Sequence, residues 1–129
     1  GKKCVVIGAG GAGASAAFSL IQRGAEVTIV NRTAEKARKL AASLGCQAAE
    51  PEFLANIIKG AQIVISAITS GEGFINKNWL KRDQVVLEAN YKQPVILPLA
   101  ASAGCQAISG EEWLFHQAVE AREIFFSQQ

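Results

Sequence analysis

Short apolar runs alternate with segments of helical periodicity along the chain. Cys4-Val5-Val6-Ile7 is continuously apolar and mostly β-branched, the pattern of a strand covered on both faces. It stops at Gly8-Ala9-Gly10-Gly11-Ala12-Gly13. An alanine-rich segment over 12–23 follows, with Ala14, Ala17, Phe18 and Ile21 at helical spacing, and Gly24 is placed to end it. Residues 26–30, Glu-Val-Thr-Ile-Val, read as a second strand. Thr33 then serves as N-cap for a helix whose apolar stripe is Ala37, Leu40, Ala41 and Leu44, closed by Gly45. Glu35 and Lys39 stand i,i+4 on its outer face, a solvated pair of minor energetic value.

Cys46-Gln47-Ala48 predicts a brief third strand, and Pro51 opens a short helix through Lys59, ahead of Gly60. Ile63-Val64-Ile65-Ser66-Ala67 is a buried strand, followed by the small, polar loop Ile68-Thr69-Ser70-Gly71-Glu72-Gly73. Val85-Val86-Leu87-Glu88 is the next strand. A helix lies within 94–103, interrupted near its start by Pro98, and Gln106-Ala107-Ile108-Ser109 is the last strand. A long helix over 110–126 finishes the pattern. Strands alternating with helices predict an α/β fold, a doubly wound parallel sheet of about six strands in the order 3-2-1-4-5-6, with helices on both faces. In that order a ligand sits at the carboxyl ends of the first and fourth strands, where the glycine turn and the Ser66 loop lie.

Composition narrows this to one domain. The chain has 129 residues, half of them hydrophobic, and 13 Lys+Arg against 11 Asp+Glu leave a net charge of +2. No basic patch or acidic tail points to nucleic acid or a membrane surface. No apolar run approaches the roughly 18 residues that span a bilayer and no secretory pattern is present, so a cytoplasmic location is expected. Cys4, Cys46 and Cys105 are odd in number and none forms a CxxC pair; reduced, buried thiols are expected rather than a disulfide or a metal site. The chain begins at Gly1 and contains no Met, which suggests a piece of a longer polypeptide.

Gly8, Gly10 and Gly13 follow the G-x-G-x-x-G spacing. One glycine allows a tight turn, one lets a pyrophosphate approach, and one lets helix pack on strand, while the helix aims unpaired amides at the phosphates. About 20 residues beyond such a turn, an NAD site carries an Asp or Glu for the ribose 2′-hydroxyl. Here the position is Asn31, followed by Arg32, Thr33 and, one turn on, Lys36. A carboxylate would repel a 2′-phosphate, whereas these side chains donate hydrogen bonds and positive charge, which favours NADP over NAD. The plainer alternative is a solvated helix start with Thr33 as its cap. In the last helix Gln117 shares a face with Leu114, Ala118, Ala121 and Phe125, so its amide needs a partner, a backbone carbonyl serving as well as a ligand. Tyr91, the sole Tyr, follows a strand and could equally pack on the sheet edge; His116, the sole His, reads as a surface or packing residue.

GAGGAG after a strand, then VTIVNRT, VISAITSG, EANY and SGEEWLFHQA resemble the shikimate dehydrogenases over essentially the whole chain, and specifically that family's C-terminal, NADP-binding, Rossmann-like domain. The ending SGEEWLFHQAVEAREIFF is similar to forms fused to 3-dehydroquinate dehydratase. The resemblance implies NADP(H) as cofactor, held by Gly8, Ala9, Gly10, Gly11, Ala12 and Gly13 at the pyrophosphate and by Asn31, Arg32, Thr33 and Lys36 at the 2′-phosphate. It puts Ser66, Ala67, Ile68, Thr69 and Gly71 beside the cofactor, Gly110 at the opening of the last helix, and Tyr91 and Gln117 at the substrate. Ser66 stands where the family has Asn, and Ile68 where it has Thr. The full enzyme is expected to reduce 3-dehydroshikimate to shikimate with NADPH. Its Lys–Asp pair belongs to an N-terminal domain, so no catalytic residue is assigned in this chain and the fragment is expected to be inactive. Quinate dehydrogenase, a glutamyl-tRNA reductase-like enzyme and a non-catalytic nucleotide-binding paralogue are the alternatives.

Overall fold

Six strands pair in parallel in the order β3-β2-β1-β4-β5-β6, so the sheet has the predicted doubly wound order. They are β1 (Lys3–Ile7), β2 (Glu26–Val30), β3 (Gln47–Ala49), β4 (Ile63–Ser66), β5 (Val85–Glu88) and β6 (Gln106–Ile108). The computed structural model describes residues 1–68, 74–89 and 95–109. Among them lie four α-helices: α1 (Gly11–Gln22), α2 (Ala34–Leu44), α3 (Leu54–Gly60) and α4 (Leu97–Ala103). The helix expected over 110–126 lies outside the described residues.

Strand alternation divides the core into two layers. Val5, Ile7, Val30, Val64 and Val86 face Leu54 and Ile58 of α3 and Ala100 of α4. Cys4, Val6, Val27, Ile29, Ile65 and Leu87 face Ala16 and Ala17 of α1 and Ala37 and Ala41 of α2. Because both faces are covered, the central strands carry apolar residues at successive positions instead of alternating with polar ones.

Several local expectations are corrected. The buried face of α1 is Gly13, Ala16 and Ala17; of the expected stripe, Ala17 and Ile21 pack on the core, whereas Ala14 is only half-buried and Phe18 is 52% exposed. The contact of Gly13 with the preceding turn sets the rotation of the helix, and a face running i, i+3, i+4 from Gly13 leaves Phe18 outside. Pro98 does not interrupt its helix but sits in the first turn, where the missing N–H has no intrahelical acceptor to lose. The segment opened by Pro51 is a 3-10 turn over Pro51–Phe53 running into α3. Cys4 is buried, but Cys46 and Cys105 are only half-buried, and all three are free thiols. Cys105 lies in the turn leaving α4, where its Sγ donates to the carbonyl of Lys81 at 2.9 Å.

Candidate functional site

The carboxyl ends of four strands lie level. Val30, Ile7, Ser66 and Glu88 are register partners in one row across β2, β1, β4 and β5. The backbone ladder runs one residue further, with Gly8 N donating to Val30 O, Ala67 N to Ile7 O and Ala89 N to Ser66 O, each at 2.8 Å. The chain order reverses between β1 and β4, and at such a switch point a crevice opens above the strand ends.

The glycine turn is shaped by sterics on one side and by open space on the other. Gly8 has a φ of 120°, and a Cβ there would come 2.9 Å from the carbonyl oxygen of Ala67. At Gly13 a Cβ would come 2.3 Å from the carbonyl oxygen of Gly8. These two glycines are demanded by the fold. Gly10 and Gly11 differ, because a Cβ at either would meet nothing within 4 Å. Gly10 is the N-cap of α1, no side chain caps the helix, and no acid stands in its first turn. Its leading amides therefore carry no capping side chain and have open space at Gly10 and Gly11, an arrangement suited to an anion. The residues present fit a pyrophosphate at this place.

A polar corner follows β2. The Asn31 side-chain amide donates to the Thr33 carbonyl at 3.2 Å, closing the turn from strand to α2. Thr33 is the N-cap residue by position, but its side chain makes no cap hydrogen bond, which corrects the expected capping role. Arg32, Thr33 and Lys36 are exposed. The carboxylate of the α2 start, Glu35, pairs with Lys39 at 3.7 Å. The Arg32 guanidinium lies over the Phe74 ring, 5.0 Å from its centroid.

On the β4 side, Ala67 packs against the glycine turn: its carbonyl abuts Gly8, and its Cβ would lie 3.7 Å from a Cβ at Gly13. Ser66 and Ile68 are buried, and Ile68 joins the cluster containing Val5 and Ile7. The Ser66 Oγ has no hydrogen-bond partner among the described residues. The structure thus brings the glycine turn and Ala67 together at one end of the sheet, with the Asn31–Lys36 corner at the neighbouring strand end. Tyr91, Gly110, Gln117, Thr69 and Gly71 lie outside the described residues.

Two buried polar groups were not singled out from sequence. Glu88 at the end of β5 accepts at Oε1 from the amides of Val95 and Ile96, the latter at 2.7 Å, and so anchors the start of α4. Gln84 donates to the carbonyls of Ile58 at 2.6 Å and Ala61 at 2.9 Å, closing the end of α3. Neither has a sequence signal, since each depends on which helix end the sheet order places beside it. A cavity of about 630 Å³, lined by Cys4, Glu26, Gln47 and Asn56 among others, opens at the amino ends of the strands, away from the glycine turn.

This strand order with a glycine-rich β1–α1 turn at its switch point defines a Rossmann-type fold. The chain belongs to the shikimate/quinate 5-dehydrogenase family, whose model matches residues 1–100. It is 38% identical to the NADP(+) shikimate dehydrogenase of Halorubrum lacusprofundi, over 97% of this chain and 48% of that protein. It is 37% identical to the bifunctional 3-dehydroquinate dehydratase/shikimate dehydrogenase of Arabidopsis thaliana, over 96% of this chain and 22% of that one. The shikimate 5-dehydrogenase of Thermus thermophilus, solved with NADP(H) and shikimate, superposes with a TM-score of 0.72 at 27% identity, covering 86% of this chain and 44% of that one. The chain spans about half the length, or less, of the relatives it matches. No helix among the described residues is long and apolar enough to cross a membrane.

Proposed function

We propose that residues 1–129 form a single NADP(H)-binding domain of a shikimate dehydrogenase-type oxidoreductase, which as a whole reduces 3-dehydroshikimate to shikimate. The observation that carries this reading is the polar corner after β2. Where an NAD site presents a carboxylate, this chain presents Asn31, and Arg32, Thr33 and Lys36 stand exposed beside it. The names of the relatives, NADP(+) shikimate dehydrogenases, agree with it.

The amides of residues 10–12 hold the pyrophosphate, with Gly8 and Gly13 shaping the turn and Ala9 and Gly11 lining it. Arg32 and Lys36 supply charge to the 2′-phosphate, and the Asn31 and Thr33 side chains supply hydrogen bonds. Ser66, Ala67 and Ile68 border the nicotinamide side, Gly110 opens the last helix towards the cofactor, and Tyr91 and Gln117 reach the substrate. The bound dinucleotide supplies the hydride. No residue of this chain is assigned the proton transfer, which falls to the part of the relatives that this chain does not span. The chain by itself therefore binds NADP(H) without turnover.

Calorimetric titration of the chain tests the reading: NADP should bind about tenfold more tightly than NAD, equivalent to one good charge-assisted contact. Arg32→Ala should erase most of that preference while leaving NAD binding nearly unchanged. Equal affinities in the unsubstituted chain would sink the assignment. Shikimate and quinate oxidation by the full-length parent, assayed with NADP, identifies the substrate.

A further inference from the structure

We propose that Phe74 is a specificity-determining positioning residue, whose ring holds the Arg32 guanidinium across the corner that recognises the 2′-phosphate. The proposal rests on the NADP(H) reading above. Arg32 Cζ lies 5.0 Å from the centroid of the Phe74 ring, inside the roughly 6 Å range in which the ring face attracts a cation. The two residues meet from separate parts of the chain, Arg32 just after β2 and Phe74 between β4 and β5.

Phe74 is anchored. It is half-buried and packs against the cluster that includes Val30, Ile68 and Ile75, and Val30 is the last residue of β2. The platform therefore rests against the core cluster to which the last residue of β2 belongs. Arg32 itself is exposed and forms no ion pair with a carboxylate among the described residues. An exposed arginine without a partner is spread over many rotamers, and ordering it on ligand arrival weakens binding. Contact with a ring spends none of the guanidinium's five N–H donors, so the fork stays available for a phosphate while its position is restricted. Lys36, a point charge on a flexible stem, has no such restraint among the described residues. Phe74 thus acts on 2′-phosphate recognition through Arg32, without touching the pyrophosphate turn.

The test is titration of the chain with NADP, NAD and 2′-AMP for the unsubstituted protein, Phe74→Leu, Phe74→Tyr, Arg32→Ala and the Phe74→Leu/Arg32→Ala double variant. Phe74→Leu should weaken NADP and 2′-AMP about fivefold, the size of an exposed to partly buried cation–π contact, and leave NAD within about twofold. Phe74→Tyr keeps the ring face and should keep the NADP preference. In the Arg32→Ala background Phe74→Leu should cause no further loss of preference. An unchanged NADP-to-NAD ratio in Phe74→Leu overturns the proposal, and so does an equal loss of both nucleotides, which marks the ring as packing alone. If the Leu variant does not fold, Phe74→Tyr decides, and loss of preference there also overturns it. Absence of preference in the unsubstituted chain removes the NADP(H) reading, and this proposal with it.

Discussion

Gly13 lies so close to Gly8 that a Cβ on the first would stand 2.3 Å from the carbonyl oxygen of the second. This contact clamps the start of α1 to the end of β1 and sets which face of the helix meets the sheet. The obstacle is backbone, which cannot swing aside as a side chain would. Gly13→Ala should therefore cost roughly 3 kcal/mol of folding stability, at the upper end for overpacking. Gly10→Ala is the contrasting case. Its Cβ meets open space and its φ of −83° suits any residue, so stability should change by less than about 0.5 kcal/mol. Dinucleotide affinity should nonetheless fall at least about tenfold, because the methyl group enters the space a pyrophosphate needs. Urea unfolding with parallel titration separates the two glycines. A Gly10→Ala chain that binds normally would contradict the phosphate assignment of the turn.

Gln84 binds three backbone groups from a position that is 2% exposed. Besides closing the end of α3 through Ile58 and Ala61, its Oε1 accepts from the amide of Lys81 at 2.8 Å. Gln84→Leu fills the space but leaves two carbonyls and an amide without that partner. With a buried unsatisfied group costing about 1–3 kcal/mol, the variant should lose roughly 3 kcal/mol. A urea midpoint within error of the unsubstituted chain would show that water replaces the side chain without cost.

The strands were legible because burial on both faces writes apolar residues at successive positions, as Val5-Val6-Ile7 in β1 and Ile63-Val64-Ile65 in β4. The bounds of β2 and β5 also coincide with Glu-Val-Thr-Ile-Val and Val-Val-Leu-Glu. The stripe of α2 was legible too, since Ala37 and Ala41 are buried and Leu40 and Leu44 flank them. On α1 the largest residue, Phe18, misled the reading: a helix pressed onto a sheet through glycine and alanine has no room for phenylalanine beneath it. The glycine turn was legible where close backbone contacts demand glycine, as at Gly8 and Gly13. Where the site depends on contacts between distant segments, as for Phe74 beneath Arg32 or Glu88 at the start of α4, nothing in the local pattern signals it.

Glu88 couples β5 to the helix that follows it. Its carboxylate accepts from the Val95 and Ile96 amides at the start of α4, where helix N-termini favour negative charge. Glu88→Ala should destabilise the chain by roughly 3 kcal/mol, as expected when charge-assisted bonds are lost inside a core. Glu88→Gln keeps an acceptor oxygen at that place and should recover about half of the loss. Equal losses in the two variants, measured by thermal and urea unfolding, would show that charge rather than hydrogen bonding holds the helix start.

The alkaline limit of stability follows from the thiols. Burial pushes the Cys4 thiol above its ordinary value, with the Lys2 charge a smaller opposing influence. Cys46 is raised by burial, and Cys105 by burial and by the nearby Asp83. In the unfolded chain a thiol loses its proton near pH 8.5, while the folded chain still holds it. The folded state then binds more protons, so stability falls as pH rises. The contribution is intact below the unfolded value and is lost as pH climbs through the raised folded one. Cys4, on a central strand and 3% exposed, should dominate this slope. Urea midpoints from pH 7 to about pH 10 should decline less steeply in Cys4→Val than in the unsubstituted chain, and Cys46→Ser should flatten the curve less. Disulfide-exchange labelling at neutral pH should reach Cys46 and Cys105 well before Cys4, which should react only when the chain unfolds. Parallel slopes in the Cys4→Val and unsubstituted proteins would exclude Cys4 as their source.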